Sequence, residues 1–248
     1  MFEFTPRPAA AHHAHDTTLE DSVLESPAWS ALSGVHARFA EGDDYARRYA
    51  ADVSPFVGVV SWEEPQVWES LIALFGHGAE VPLSHFVGEL PEGWTEISRG
   101  DGMQLVASDR VSGQPFDDAV ELGEGDVDEM LALIERNRPG PFRARTYQLG
   151  RYVGVRREGR LIAMAGERLH PQGFTEISAV SVDDEYRRRG LASALTLDVA
   201  YAIRQRGDVP FLHASAANTG AIATYEKLGF QLRRMVTFLH ARTPEAAV

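Results

Sequence analysis

The chain has 248 residues, with 36 acidic against 24 basic side chains, a formal net charge of −12 and no cysteine. This length can hold one large domain or two modest ones, and the acidic balance argues against general affinity for nucleic acid or an anionic membrane. The absence of cysteine excludes disulfides, thiolate metal sites and a cysteine nucleophile. With no apolar stretch of membrane-spanning length and no signal-peptide core at the start, the sequence predicts a cytoplasmic protein.

Residues 1–16 are predicted to form a flexible tail. His12, His13 and His15 lie there among alanines and prolines. Three close histidines could bind a metal ion, but a site with carboxylate or further histidine support nearby would be more convincing, and a disordered tail is the favoured interpretation. We therefore predict no metal site.

Apolar residues recur at helical spacing from residue 17 to about residue 49, with a break at Pro27. This pattern predicts helices throughout the stretch. His36 falls within it and is interpreted as a helix-face residue rather than a ligand.

Between residues 56 and 108, short apolar runs alternate with glycine and proline. They predict a helix at Gln66–Phe75 and strands at residues 56–61, 81–87 and 103–107. No catalytic constellation is visible in residues 17–108. The polar residues 108–118 predict a boundary between an N-terminal α/β half, residues 17–112, and a second domain, residues 113–248.

The elements become more regular after this boundary. A short strand is predicted at residues 119–122, followed by a helix that Asp126 caps and that runs to residue 134. Residues 143–149 are predicted to form a short helix or an irregular segment. The remaining predicted elements are a hairpin of residues 152–156 and 161–167, a strand from Phe174, a strand at residues 209–214, a helix at Thr219–Leu228 ended by Gly229, and a strand at residues 231–240.

Residues 174–192, FTEISAVSVDDEYRRRGLA, predict a strand, a basic turn and the start of a helix at Gly190. The first N–H groups of a helix lack intrahelical partners, and the helix dipole places partial positive charge there. Gly190 and Ala192 would let an anion approach those amides closely. The pattern is therefore typical of a phosphate site, and the alternative is a solvated arginine cluster at a helix cap.

Arg187-Arg188-Arg189-Gly190-Leu191-Ala192 matches the [Arg/Gln]-x-x-Gly-x-[Gly/Ala] signature of the GNAT superfamily of acyl-CoA-dependent N-acyltransferases. Asn218, Tyr225 and the Leu-Gly-Phe that follows lie at matching distances. The resemblance covers about residues 118–240 and extends to a subgroup in which a degenerate GNAT-like half comes first. It implies an α/β (α+β) fold: a central mixed, mostly antiparallel, splayed sheet flanked by helices, preceded by a smaller α/β half of related fold.

The resemblance also implies a binding site for acetyl-CoA as cosubstrate. The pantetheine arm would fill a gap between residues 180–182 and residues 214–216, and the pyrophosphate would lie on the amides of residues 188–193. The implied cofactor-binding residues are Val180, Ser181, Val182, Arg187, Arg188, Arg189, Gly190, Leu191, Ala192, Ser193, Asn218 and Tyr225.

Tyr225 matches the family's tyrosine that protonates the departing thiolate, although an inward-facing aromatic residue on a helix is the alternative. Asn218 could equally be a simple helix N-cap. For the general base we predict Glu176, a carboxylate inside an apolar strand, with Glu167 second and His213 as an alternative base or relay. Either carboxylate could instead pair with an arginine; the candidates are Arg143, Arg145 and Arg168.

The predicted function is an acetyl-CoA-dependent N-acetyltransferase that acetylates a primary amine, in a small molecule, an amino acid or a peptide, by direct transfer in a ternary complex. The alternative is a CoA-binding sensor or scaffold without catalysis. Net acidity weakly favours a cationic acceptor. The part played by residues 17–112 stays open between covering the acceptor site, forming a homodimer and supporting the sheet.

Overall fold

The computed structural model describes residues 23–246. The predicted tail and residues 17–22 of the first predicted helix lie outside this range. The helices are α1 Pro27–Ser33, α2 Gln66–Phe75, α3 Val127–Asn137, α4 Leu191–Gln205 and α5 Thr219–Leu228. The strands are β1 Ala40–Gly42, β2 Ala46–Tyr49, β3 Val57–Val59, β4 Glu80–Ser84, β5 Thr95–Ala107, β6 Val120–Leu122, β7 Tyr152–Arg157, β8 Arg160–Glu167, β9 Phe174–Val182, β10 Val209–Ser215 and β11 Phe230–Arg242.

Strands β4 to β11 form one eight-stranded sheet in the order β4-β11-β5-β10-β9-β8-β7-β6, and β1, β2 and β3 form a small sheet. The β9–β10 pair is parallel, whereas the other pairs of the large sheet are antiparallel. The predicted mixed, mostly antiparallel sheet is confirmed. Strands β4 and β5 precede the predicted boundary, yet β5 lies between β10 and β11. The division at residues 112/113 stays a prediction, and the sheet is continuous across it.

Helices α3 and α4 cover opposite faces of this sheet. Alternate residues of a strand point to opposite faces, and on β7 Val153 packs in one apolar cluster with α4 while Tyr152 packs in another with α3. On α4 the buried residues Leu195, Val199 and Ile203 recur every four positions. Burial of each such side chain contributes about 1.5–3 kcal/mol. The sheet is therefore held between two helical layers.

The predicted helix through residue 49 is wrong beyond Ser33. Helix α1 ends there, a single 3₁₀ turn follows at Ala37–Phe39, and the chain then forms β1 and β2. The Asp43 carboxylate accepts the N–H groups of Tyr45 and Ala46 at 2.8 and 3.0 Å, which fixes a tight turn between these strands. Local side-chain bonding and pairing with β3 thus override the helical spacing of the apolar residues.

Two strands also differ in length from their predictions. Strand β5 spans 13 residues because it pairs with β11 from Thr95↔Arg242 to Ala107↔Phe230, and this partner stabilises its polar first half. Strand β4 ends at Ser84, three residues earlier than predicted, because the next residue, His85, adopts a left-handed conformation with φ of 58°. Among residues 23–246, no helix is long and apolar enough to cross a membrane.

Candidate functional site

The parallel strands β9 and β10 separate partway along their length. They pair at Val209↔Phe174, Pro210↔Thr175 and Phe211↔Glu176, and no further β9–β10 pair follows within the described residues. Beyond this point Ala179 has a positive φ of 54°, and the register of β9 against β8 shifts nearby. This bulge turns β9 away from β10 and leaves backbone groups facing a gap.

A cavity of about 710 Å³ occupies this gap, and we call it the cofactor cleft after the cosubstrate site that the sequence resemblance implies. It brings together eleven of the residues predicted from the sequence: Val180, Ser181, Val182, Arg187, Arg188, Gly190, Leu191, Ala192, Ser193, Asn218 and Tyr225. Arg189 and Glu176 are predicted site residues that do not line it. The gap begins after Glu176, earlier along the strand than predicted.

One end of the cofactor cleft is the N-terminus of α4. Gly190 has φ of 82°, a left-handed conformation that suits glycine, and its carbonyl accepts the first helical hydrogen bond from Ala194 at 3.0 Å. The N–H groups of residues 191–193 precede that bond and are free of intrahelical partners. This end of the cleft can therefore bind an anion through backbone amides.

Two of the three neighbouring arginine side chains are held by other groups. Arg187 pairs with Asp184 at 2.8 Å. The Arg189 guanidinium lies over the ring of Tyr186 and donates to the Glu185 carbonyl at 3.0 Å. These contacts make Arg187 and Arg189 weaker candidates for the phosphate contact than the backbone, while Arg188 lines the cleft beside the same amides.

Sequence reasoning missed the far wall of the cofactor cleft, which the end of α3 supplies. Asn137 donates from Nδ2 to the Ser181 hydroxyl at 2.9 Å, and Arg138, in a left-handed conformation, closes the helix. Both residues line the cleft. The only sequence signal was the helix end before Pro139, and it carried no information about which strand the helix would face.

Asn218 and Tyr225 lie on α5 at the other side of the cofactor cleft. The Asn218 Oδ1 accepts the Ala221 N–H at 3.1 Å, so the residue is an N-cap, and its Nδ2 has no hydrogen-bond partner among residues 23–246. Burial raises the pKa of Tyr225 to about 12, so its hydroxyl keeps its proton at neutral pH. Both side chains are thus available to a ligand as donors.

Glu176 is fully buried behind the cofactor cleft. Arg168 donates to its carboxylate from Nε at 2.8 Å and from Nη2 at 2.6 Å, and His213 Nδ1 lies 2.7 Å from Oε1. Although burial favours the protonated acid, the Arg168 guanidinium holds the pKa of Glu176 well below its usual range. Of the arginines considered from the sequence, Arg168 is the partner. The base role of Glu176 stays a prediction.

The other carboxylate considered as a base, Glu167, is also buried and paired. Arg206 Nη2 donates to it at 2.7 Å, and the Arg151 N–H donates to it at 3.2 Å. It does not line the cofactor cleft. These contacts are those of a structural ion pair.

A small second pocket lies against the cofactor cleft, and Arg168 and His213 line both. The N-terminal part of the chain contributes Pro27, Phe56 and His85 to it. His85 comes from the end of β4 and was not predicted as a site residue. Its position depends on a contact between distant parts of the chain, for which the sequence gives no local signal.

Comparisons with known proteins agree with this geometry. A family model described as FR47-like protein matches residues 152–239. A crystal structure assigned to the GNAT family of acetyltransferases, from Novosphingobium aromaticivorans, is 34% identical with a TM-score of 0.81, and the match covers 90% of this chain and 99% of that one. A GCN5-related N-acetyltransferase from Kribbella flavida has a TM-score of 0.59 at 16% identity, over 95% of this chain and 98% of that one, which shows a shared fold.

Curated relatives named mycothiol acetyltransferase are similar over part of their length. The protein from Thermomonospora curvata is 30% identical over 142 residues, and the one from Saccharomonospora viridis is 32% identical over 151 residues. Each match covers 57% of this chain, and 45% and 47% of the respective relative. The chain thus spans less than half the length of these relatives. The high coverage and identity of the Novosphingobium structure show that this chain belongs to the GNAT family of acetyltransferases.

Proposed function

We propose that this protein transfers an acetyl group from acetyl-CoA to a primary amine of a small molecule, amino acid or peptide by direct transfer in a ternary complex. The observation that carries the proposal is the cofactor cleft itself. It joins the unpaired edge of β9, the N-terminus of α4 and the Tyr225 hydroxyl in one cavity. Family membership supports the same reaction class.

The residues of the cofactor cleft fit the cosubstrate. The edge of β9 can pair with the amide groups of an extended pantetheine arm, and the free Nδ2 of Asn218 is a further donor. The amides of residues 191–193 suit a pyrophosphate. Bound acetyl-CoA would supply the acetyl group as an activated thioester.

Tyr225 is proposed as the proton donor to the departing thiolate. Its raised pKa keeps the hydroxyl protonated, so the residue can act as an acid rather than as a base. The hydroxyl makes no hydrogen bond within residues 23–246 and is free to reach a reacting atom. Tyr225 packs against Phe230, with ring centroids 6.1 Å apart, and this contact fixes the direction of the ring.

We place the acceptor amine in the part of the cofactor cleft that Arg168 and His213 line, because the second pocket, at about 20 Å³, has room for little more than a water molecule. The second pocket meets the cleft at these two residues, and Pro27 of α1 and Phe56, the residue before β3, line it. The N-terminal part of the chain would therefore close the acceptor side of the site.

The pairing of Glu176 with Arg168 counts against Glu176 as the direct base and supports a role in orienting His213.

Acetyl transfer can be tested by measuring thiol release from acetyl-CoA across a panel of primary amines and amino acids, with the product identified by mass spectrometry. We expect acetylated product and intersecting initial-rate plots, because direct transfer needs both substrates bound at once. Parallel plots would contradict direct transfer. CoA binding in calorimetry without turnover on any amine would favour the sensor or scaffold function, and no CoA binding would exclude both.

A further inference from the structure

Two histidines meet at the inner wall of the second pocket. His85, at the end of β4, and His213, on β10, are 128 residues apart in sequence, yet their Nε2 atoms lie 2.8 Å from each other. The rings are nearly perpendicular, at 79°, with centroids 4.8 Å apart. His85 reaches this position through a left-handed backbone conformation that is uncommon for a histidine, and such conformations persist where the surrounding structure enforces them.

The outer nitrogen of each ring faces a group that only accepts hydrogen bonds. His213 Nδ1 lies 2.7 Å from the ionised Glu176 carboxylate, and His85 Nδ1 lies 3.1 Å from the backbone carbonyl of Glu25. Each Nδ1 must therefore carry the proton of a neutral imidazole. Both Nε2 atoms are then unprotonated, and two lone pairs face each other at hydrogen-bonding distance.

One added proton resolves this conflict, because it can be shared between the two Nε2 atoms while both outer hydrogen bonds remain. We infer that the His85–His213 pair is the proton acceptor of the reaction and takes the proton that an ammonium acceptor must lose before it can attack. This inference rests on the proposed function. In the step, one N–H bond of the ammonium breaks, one N–H bond forms on the imidazole pair, and the electron pair left on the amine becomes the nucleophile.

The surroundings of the pair contain one anion that favours an added proton, and burial and nearby cations that oppose it. Glu176 is the anion beside His213, and Arg168 neutralises it. Gln104 Nε2 donates to the Leu24 carbonyl at 3.0 Å and lies 3.3 Å from His213 Nε2, so its second N–H can satisfy the His213 lone pair. Within residues 23–246 the lone pair of His85 Nε2 then has no donor, and this is the nitrogen that an added proton satisfies. Burial, then the charge on His213, lowers the pKa of His85, while Glu176 opposes this effect and Arg233 adds to it. The Glu25 side chain is held by Arg233 and Arg234.

The first test needs neither substrate. Proton uptake is followed by ¹⁵N NMR of the histidine-labelled full-length protein. The variant is His85→Gln, and the matched control is His240→Gln, which removes an exposed histidine. We expect the Nε2 signals of His85 and His213 to shift together in one step. That step should persist in His240→Gln and be altered in His85→Gln, which removes one half of the shared site. Two independent steps, or a His213 step unchanged by His85→Gln, would overturn the shared site.

The second test uses acceptors that differ in amine basicity. An alkylamine is protonated at pH 7 and must lose a proton, whereas a weakly basic amine, such as an aryl amine or a hydrazide, is already neutral. With the alkylamine we expect kcat of His85→Gln to fall about 100-fold or more at pH 7, and to recover as the pH approaches the amine's own pKa. With the weakly basic amine it should stay within about threefold of the wild type.

An equal loss with both acceptors at every pH would show a purely structural role and overturn the inference. If no amine is acetylated by the wild type, the proposed function fails and the base role with it. The NMR result then still decides whether the shared proton exists, so the two failures are distinguishable.

Discussion

Arg168 holds Glu176 by two parallel hydrogen bonds, at 2.8 and 2.6 Å, in a part of the molecule where the carboxylate has no solvent contact. Breaking a buried pair by removing one partner leaves the other charge uncompensated and costs about 3–5 kcal/mol. We therefore expect Glu176→Gln to lower the free energy of unfolding by this amount, measured by denaturant unfolding. Glu121→Gln is the matched control, because Glu121 pairs with Arg151 at an exposed site and should cost less than about 1 kcal/mol.

A similar small cost for both variants would show that the Arg168–Glu176 pair contributes little to stability. The stability of Glu176→Gln also affects how its activity can be interpreted. A loss of turnover in Glu176→Gln reports on catalysis only at a temperature where the variant remains folded.

Tyr225→Phe removes the proposed acid and keeps the ring that packs on Phe230. We expect kcat to fall about 10²–10⁴-fold while the dissociation constant of CoA changes by less than about threefold, since the lost hydroxyl acts on the leaving thiolate. Thiol release and calorimetry give the two values. Tyr201→Phe, on the outer side of α4, is the control and should leave both unchanged. An unaltered kcat in Tyr225→Phe would remove this tyrosine from the mechanism.

Gly190→Val tests whether the backbone at the start of α4 binds the phosphate. A β-branched residue at φ of 82° is strained and reshapes the turn, so we expect CoA affinity to fall at least about tenfold. Arg188→Ala should lower CoA affinity by at most about fivefold, because an exposed charge contributes no more than about 1 kcal/mol. Gly207→Val places the same strain, at φ of 89°, beyond the other end of α4 and is the matched control for backbone strain.

Calorimetric titration with CoA ranks these three variants. A greater loss in Arg188→Ala than in Gly190→Val would show that the arginine side chain, not the backbone, dominates the contact. An equal loss in Gly207→Val would show that general destabilisation of α4 explains the result.

Acid should destabilise the protein through a buried histidine pair. The rings of His36 and His170 are tilted at 52° to each other, with centroids 5.0 Å apart. Burial lowers the pKa of each to about 4, with a further contribution from the charge of His170 for His36 and from that of Arg206 for His170. An unfolded histidine takes up its proton near pH 6.5. Between pH 6.5 and 4 the unfolded state therefore binds more protons, and stability falls as the pH is lowered through this window.

For one such imidazole, acidification through this window lowers the free energy of unfolding by roughly 3 kcal/mol. Thermal unfolding of the wild type and of His36→Gln at pH 7 and pH 4.5 checks it. We expect the variant to be less stable at pH 7, because it loses the contacts of His36 with Tyr49 and Leu149, and to lose less on acidification. Equal losses on acidification would rule out His36 as a source of the pH dependence.

The sequence by itself determined the two halves of the cofactor cleft that depend on local rules. Gly190 after the strand and basic turn predicts the helix start that the structure gives at Leu191, and Asn218 with Gly229 predicts the limits of α5, which the structure reproduces at Thr219–Leu228. Both predictions rest on glycine conformation, capping and helical periodicity, and these act over a few neighbouring residues.

Only the tertiary structure decided how these segments are combined. The sequence left Glu176 with three candidate arginine partners, and packing selects Arg168, which lies on the connection between β8 and β9. The positive φ at Ala179 that turns β9 from β10, and the contact of His85 with His213 across 128 residues, have no local sequence signal. The physical reason is that both depend on strand pairing and burial between distant parts of the chain, which no short window of residues contains.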